Sequence, residues 1–328
     1  MMEIQKLLPF ILRHENVAVI EHGVLYITDR QSYPFEIRRV ACSDASETAD
    51  AIRRMVTQGG GPLEAALRAM VLTAMKKGKD RDAFDLAVRA LSGARPTNTT
   101  MKRELEALLP KIIMGFDQED FVSYVEELVH SRLAHYDECY LAMARNGVRL
   151  IDDGDGILTT CFPEHSFFLT LALAAEKGFS FRVFAPETRP FLQGARLTAS
   201  GLAEMGYEHT LITDNMVSSF MSQGRIDKYM TASDLALRDR TVVNKIGTLG
   251  NAIAAKYYGI PYYPFAIGFD EGKKGISDIE IEYRDPGEVK MIRGVRTAPE
   301  GVSAEYPCFD IIPSSLVTGI VMPEGIVR

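Results

Sequence analysis

From Val148 onward the 328-residue chain repeats one pattern, in which a short apolar run and a polar turn are followed by a stretch with apolar residues at helical spacing. The strand-like runs are Gly156 to Thr160, Phe181 to Ala185, Thr210 to Ile212, Lys228 to Ala232 and Tyr262 to Ala266. Helical patterns over Ser166 to Lys177, Gln193 to Met205, Asn215 to Gln223 and Gly250 to Tyr258 fit between them. Such alternation predicts βαβ units, a parallel sheet and a Rossmann-like, doubly wound α/β domain. Ligands bind such a sheet just past its strand ends, where backbone N–H groups are free and helix starts favour anions. The residues able to do chemistry sit at those places: Cys161, Glu187 with Arg189, Asp214, and Asp234.

The preceding residues read differently. A helix-like opening, Met1 to His14, is followed by short strand-like runs, Val17 to Ile20, Val24 to Ile27 and Phe35 to Val40, which predict a small antiparallel sheet. Ser43 to Glu47 supplies capping residues for a helix over Thr48 to Val56, and further helices are predicted over Leu63 to Lys76, Arg81 to Leu91, Thr100 to Lys111 and Gln118 to Asn146. The expected division is a mostly helical N-terminal domain with a small sheet, 1–146, and the α/β domain, 147–328, with the tail from Ile279 packed on the sheet. Two connections in the first domain suit an anion. Gly59, Gly60 and Gly61 precede a Pro-initiated helix, so their amides can approach an oxyanion, although glycines also end helices. Arg95 sits beside Pro96 in a polar connection, as a phosphate fork or a solvated loop arginine would.

Composition narrows the function. A net charge of −7 with no basic block argues against general nucleic-acid binding, which depends on neutralising phosphates. No run is long enough to span a bilayer, and Met1 to His14 lacks the features of a signal peptide, so the expected setting is cytoplasmic. Cys42, Cys139, Cys161 and Cys308 are widely spaced, with no metal-ligand pattern, so neither metal nor cofactor is expected.

Tyr229 to Asn251 is the most loaded stretch, with Asp234 and then Asn244-Lys245-Ile246-Gly247-Thr248 after a strand-like run. On these residues alone, Asp234 reads equally as a site acid or a helix cap, and Lys245 as an anion contact or a surface lysine. The longer motifs favour the first reading. ETRPFLQGARLTA (Glu187 to Ala199), LITDNM (Leu211 to Met216) and NKIGT, with LYITDRQSYPFEI, ARPTN, RLIDDGDGILTTC, IEIEYRDPGEV and FDIIP, resemble the methylthioribose-1-phosphate isomerase family, which is related to the regulatory subunits of the eukaryotic translation-initiation exchange factor.

The resemblance implies a helical domain on a Rossmann-like domain, a homodimer and a small-molecule sugar-phosphate substrate. It implies a reaction in which a 5-substituted ribose 1-phosphate becomes the 1-phosphoribulose derivative, as in methionine salvage. Cys161 and Asp234 match the family's catalytic pair; Arg95, Gln193, Asn244 and Lys245 match substrate-binding positions, and Gly59-Gly60-Gly61 its phosphate loop. The chemistry suits them: an acid at Asp234, kept protonated by partial burial, opens the ring, and a Cys161 thiolate at a helix start moves a proton from C2 to C1. This chain departs from the pattern where Gly59 replaces a loop arginine, where Phe162-Pro163-Glu164-His165 follows the cysteine, and where Tyr306 and Cys308 stand in an Asn-Pro-Ala pattern. The alternatives are a ribose-1,5-bisphosphate isomerase, which needs a second anion site, and a non-catalytic sugar-phosphate or nucleotide-binding regulatory protein.

Overall fold

The computed structural model describes residues 4–95, 99–273 and 275–328; Pro96, expected to stiffen Arg95, lies outside them. The chain forms two units, one of residues 4–6 and 10–138 and one of Leu7–Pro9 and Cys139–Arg328.

In the first unit a one-turn helix, α1 (His14–Val17), leads into an antiparallel sheet of β1 (Ala18–Glu21), β2 (Val24–Thr28) and β3 (Arg39–Cys42). The third strand starts later than its apolar run suggests. Phe35 and Ile37 are 65% and 59% exposed, and the Ser32 hydroxyl donates to the Asp29 and Glu36 carbonyls, curling the chain before it can pair. Helix α2 (Ala45–Arg53) opens on a capping box: Asp44 accepts the Glu47 N–H at 2.9 Å while Glu47 accepts the Ser43 N–H at 2.7 Å. Helices α3 (Gly61–Lys77), α4 (Arg81–Ser92), α5 (Thr99–Met114) and α6 (Phe121–Gly147, its residues through Glu138) complete the unit. Helix α3 is its centre, burying every residue from Gly61 to Ala74 except Arg68. Its buried Glu64 accepts from His14 at 2.9 Å and from Arg68 at 2.8 Å, and His14 also meets Asp137 at 3.1 Å.

The second unit runs β4 (Asp155–Leu158), α7 (Glu164–Glu176), β5 (Phe181–Pro186), a π turn (Gly194–Thr198), α8 (Ala199–Glu204), β6 (His209–Ile212), α9 (Val217–Ser222), β7 (Lys228–Ala232), β8 (Leu235–Ala236), β9 (Val242–Lys245), α10 (Thr248–Tyr257) and β10 (Tyr262–Phe265). The tail adds β11 (Met291–Ile292), β12 (Val295–Arg296), β13 (Phe309–Ile312), β14 (Ile320–Met322) and β15 (Gly325–Val327). All five strands expected from the sequence are present in one seven-stranded sheet of order β15-β14-β10-β7-β4-β5-β6, parallel except at the β15 edge. The tail therefore does pack on the sheet, by adding two strands to it.

The order contains a reversal. From β4 the chain moves outward through β5 and β6, then returns to place β7 on the other side of β4. The crevice past the ends of β4 and β7 is the topological switch point, where such sheets bind ligands. The Tyr229 and Tyr262 rings, on neighbouring strands, stack 4.5 Å apart beneath it, and their hydroxyls bond Thr160 at 2.7 Å and Thr231 at 2.9 Å. A second sheet, β13-β9-β8, is antiparallel and was not expected from the sequence. Its strands are short, and β9 reads Val-Val-Asn-Lys, fully buried yet half polar.

Candidate functional site at the strand ends

The two catalytic residues implied by the resemblance leave adjacent strands at the switch point. Leu158 of β4 pairs with Tyr229 of β7, and Cys161 and Asp234 follow within a few residues of that pair. Cys161, as expected, occupies a strand-to-helix turn, and it does so in a left-handed conformation with φ 65°. Glu164 (62°), Thr188 (63°) and Leu192 (60°) share that conformation on the turns after β4 and β5. Each such residue costs on the order of 1–3 kcal/mol, and their concentration here is the pattern of a site that needs directed side chains.

Hydrogen bonds hold the turn in place. The Cys161 N–H donates to the Thr188 hydroxyl at 3.1 Å, and the Thr198 hydroxyl donates to the Cys161 carbonyl. The N–H groups of Thr188 and Arg189 donate to the Asp214 carboxylate at 2.8 and 2.7 Å, so the ends of β4, β5 and β6 are tied together. Gln193 is buried just before the π turn. A Cβ on the next residue, Gly194, would stand 1.8 Å from the Pro186 carbonyl, so only glycine lets this turn press onto the end of β5.

The small sheet supplies the opposite wall. The Asp234 N–H donates to the Val243 carbonyl at 2.9 Å, and Leu235 pairs with Val243, so β9 sets the position of the acid and carries Asn244 and Lys245 as its last residues. Asp234 is no helix cap. Its side chain is exposed, so the partial burial expected to keep it protonated is not present in the free chain. Asn244 is buried and donates to the Thr248 hydroxyl at 3.1 Å. Lys245 is 8% exposed; its Nζ lies 4.3 Å from the centre of the Phe309 ring, its pairing partner on β13, and no carboxylate among the described residues forms an ion pair with it. A buried ammonium on an aromatic face, with hydrogen-bonding capacity to spare, is suited to an anionic ligand.

These charges act on the cysteine. Burial pushes the Cys161 thiol up to about 12; the Lys245 ammonium opposes this, and the Asp234 and Glu164 carboxylates add to it. The free chain therefore holds a thiol where a thiolate was expected, because the dry turn outweighs both the nearby cation and the helix start. The start of α10 also differs from expectation. Its first amides are not open to an anion, since Asp310 of β13 accepts from the Gly247 and Leu249 N–H groups at 2.8 and 2.9 Å.

Gly59, Gly60, Gly61 and Arg95 belong to the first unit. Gly59 is exposed at φ 61°, a conformation that glycine adopts without strain. Gly61 opens α3, and the fully buried Arg30 donates to the Gln58 carbonyl at 2.5 Å and the Ile11 carbonyl at 3.1 Å, bracing the loop from behind. Arg95 is partly buried with Nη1 3.0 Å from the Met55 sulfur. The residues that sequence reasoning left unassigned are Arg30, Thr188, Phe309 and Asp310. Each falls inside a quoted motif, but its role depends on partners distant in the chain. Glu164 and His165 face each other at 3.4 Å, with His165 stacked on Tyr140 at 4.7 Å.

No helix among the described residues is long and apolar enough to cross a membrane, and no group of three or more His, Cys, Asp or Glu among them is placed to hold a metal ion. Comparison with known proteins gives consistent results. A family model described as the initiation factor 2 subunit family matches residues 54–328. The methylthioribose-1-phosphate isomerase of Desulforudis audaxviator is 34% identical over 326 residues, covering 93% of this chain and 92% of that one. The 5-deoxyribose 1-phosphate isomerase of Clostridium botulinum is 35% identical over 323 residues, covering 92% of each. The crystal structure of 5-methylthioribose 1-phosphate isomerase from Pyrococcus horikoshii superposes with a TM-score of 0.85 at 28% identity, over 99% of this chain and 96% of that one.

Proposed function

The chain belongs to the initiation factor 2 subunit family, and from that premise we propose that it is an aldose–ketose isomerase acting on a 5-substituted ribose 1-phosphate, with the 5-methylthio and 5-deoxy sugars as its first candidates. The observation that carries this reading is that Cys161 and Asp234 follow the adjacent strands β4 and β7 at the switch point, with the buried Lys245 at the end of β9, the strand to which the Asp234 N–H bonds.

An anomeric phosphate prevents the sugar from opening to a free aldehyde, so ring opening and proton transfer must be coupled. Asp234 gives its proton to the ring oxygen as the bond from that oxygen to C1 breaks. Cys161, as the thiolate left when its proton passes to solvent on ligand binding, takes the proton from C2, and the electron pair left behind forms the C1–C2 double bond of an enol phosphate. The same proton returns to C1, and the C2 hydroxyl releases its proton to Asp234 as the ketone forms, which restores the enzyme. Lys245 holds the phosphate end as a charge-assisted partner, and Gln193 and Asn244 of the same unit bind beside it. Ligand binding also supplies the burial that Asp234 lacks in the free chain.

A turnover assay on the two sugars decides the matter. Wild type should convert at least one of them, and Cys161→Ser and Asp234→Asn should each lower kcat/KM by roughly 10²- to 10⁴-fold. Full activity in either variant removes the corresponding role, and a wild-type enzyme that binds but converts neither sugar, nor the 5-phospho analogue, points to a binding protein instead.

A further inference from the structure

One polar group near the site has no task in the reaction just described. Tyr306 is 3% exposed, and its hydroxyl oxygen is buried without a hydrogen-bond partner among the described residues. A buried polar atom left in this state is destabilising, and native folds seldom keep one without a ligand, water or ion to satisfy it.

Its surroundings say which of these to expect. Tyr306 precedes β13 by three residues, and β13 carries Phe309, whose ring lies under the Lys245 ammonium. The Tyr306 ring packs on Phe191, 6.3 Å away and two residues before Gln193, and belongs to a small cluster with Val243, Cys308 and Phe309. Its carbonyl accepts the Arg284 N–H at 3.0 Å, and the Arg284 guanidinium lies over the Phe191 ring, 5.0 Å from its centre. The ring is thus wedged between the segments that bear Gln193 and Lys245. Arg284 Nε and Glu288 Oε2, on the same excursion between β10 and β13, are likewise buried without hydrogen-bond partners. Burial, and next the charges that Cys308, Glu288 and Cys161 would carry, raise the Tyr306 phenol above its usual range against the pull of Arg284, so it remains a donor at any working pH and lies within electrostatic reach of Cys161.

We propose that the Tyr306 hydroxyl is a substrate contact, donating a hydrogen bond to a sugar oxygen of the ligand held between Cys161 and Lys245. This rests on the sugar-phosphate reading above and adds a residue at a position where the chain departs from the family's Asn-Pro-Ala pattern. A phenol reaches further than an asparagine amide and offers one donor on a rigid ring, so it fixes the sugar in one register. Its role is binding and orientation; it exchanges no proton with the substrate.

The test is Tyr306→Phe, which removes one oxygen and keeps the ring packed on Phe191. The unliganded variant should melt at or above the wild-type temperature, since an unsatisfied buried hydroxyl is lost. The KM for the sugar phosphate should rise about tenfold with a smaller change in kcat, the signature of a contact made in the ground state as well as the transition state. If wild type turns over substrate and Tyr306→Phe has unchanged KM and kcat, the hydroxyl meets only water and the inference fails while the isomerase reading stands. If wild type converts none of the sugars, calorimetry with 5-deoxyribose 1-phosphate replaces the assay: about tenfold weaker binding by the variant supports the contact, and equal binding, or none by wild type, overturns it.

Discussion

At the scale of single residues, Cys161 is the group whose chemistry the surroundings control most tightly. The expectation of a ready thiolate followed from its place at a helix start, a local feature that can be read from neighbouring letters. What raises the thiol to about 12 is burial in a left-handed turn, with Asp234 and Glu164 adding to it and Lys245 opposing, and two of these contributions, those of Asp234 and Lys245, come from elsewhere in the fold. The sign of each can be checked without substrate, because alkylation by iodoacetamide follows the thiolate fraction. The rate at Cys161, followed by mass spectrometry of its peptide, should rise about tenfold per pH unit with no plateau below about pH 10. At fixed pH, Asp234→Asn should alkylate faster than wild type and Lys245→Met more slowly. A plateau near neutral pH, or the reverse order of the variants, would show that the thiol is not held up in this way.

At the scale of elements, the same contrast recurs between local and distant causes. The capping box of α2 and the parallel strands were legible because their signals are local: Ser43 to Glu47 spans one turn, and a buried strand is a continuous apolar run. The sheet β13-β9-β8 was not, because Asn244 and Lys245 break the apolar pattern of β9 and its partner β13 lies over sixty residues away. The cap of α10 by Asp310 is hidden for the same reason. In the first unit His14 ties α1 to α3 and α6 through Glu64 and Asp137, a link that no spacing suggests. Burial alone would lower the His14 pKa, but hydrogen bonds and charges from Asp137 and Glu64 outweigh it and raise the value from 6.5 to about 10. The protonated form therefore favours folding: the contribution is complete below about pH 6.5, shrinks as pH rises, and is gone above about pH 10. His14→Gln should accordingly lower the melting temperature more at pH 6 than at pH 10, and an equal loss at both would contradict a charged His14.

At the scale of the whole molecule, a doubly wound sheet with its chemically able residues just past the strand ends was legible from the order of runs, whereas the reversal that puts Cys161 and Asp234 past the adjacent strands β4 and β7 comes only from the strand order. What the pattern did not reveal is how far this end of the fold works against the stability of the free chain. Lys245 is buried on the Phe309 ring with no carboxylate among the described residues in ion-pair contact, and the turns after β4 and β5 hold four non-glycine residues in left-handed conformations. Burying an uncompensated cation opposes folding, whereas an anionic ligand that pairs with it binds the folded state alone. The two effects have opposite signs in one substitution. Without ligand, Lys245→Met should leave the melting temperature equal to or above that of wild type, since an unpaired charge is replaced by an apolar side chain of similar length. With sugar phosphate at about one hundred times its dissociation constant, wild type should gain about 2.7 kcal/mol, a rise of several degrees, and the variant should gain little at the same concentration. Thermal melts of both proteins, with and without the sugar phosphate, separate the outcomes. A variant that melts lower without ligand, or keeps the full ligand-induced rise, would mean that Lys245 is a structural cation satisfied by its aromatic contact alone.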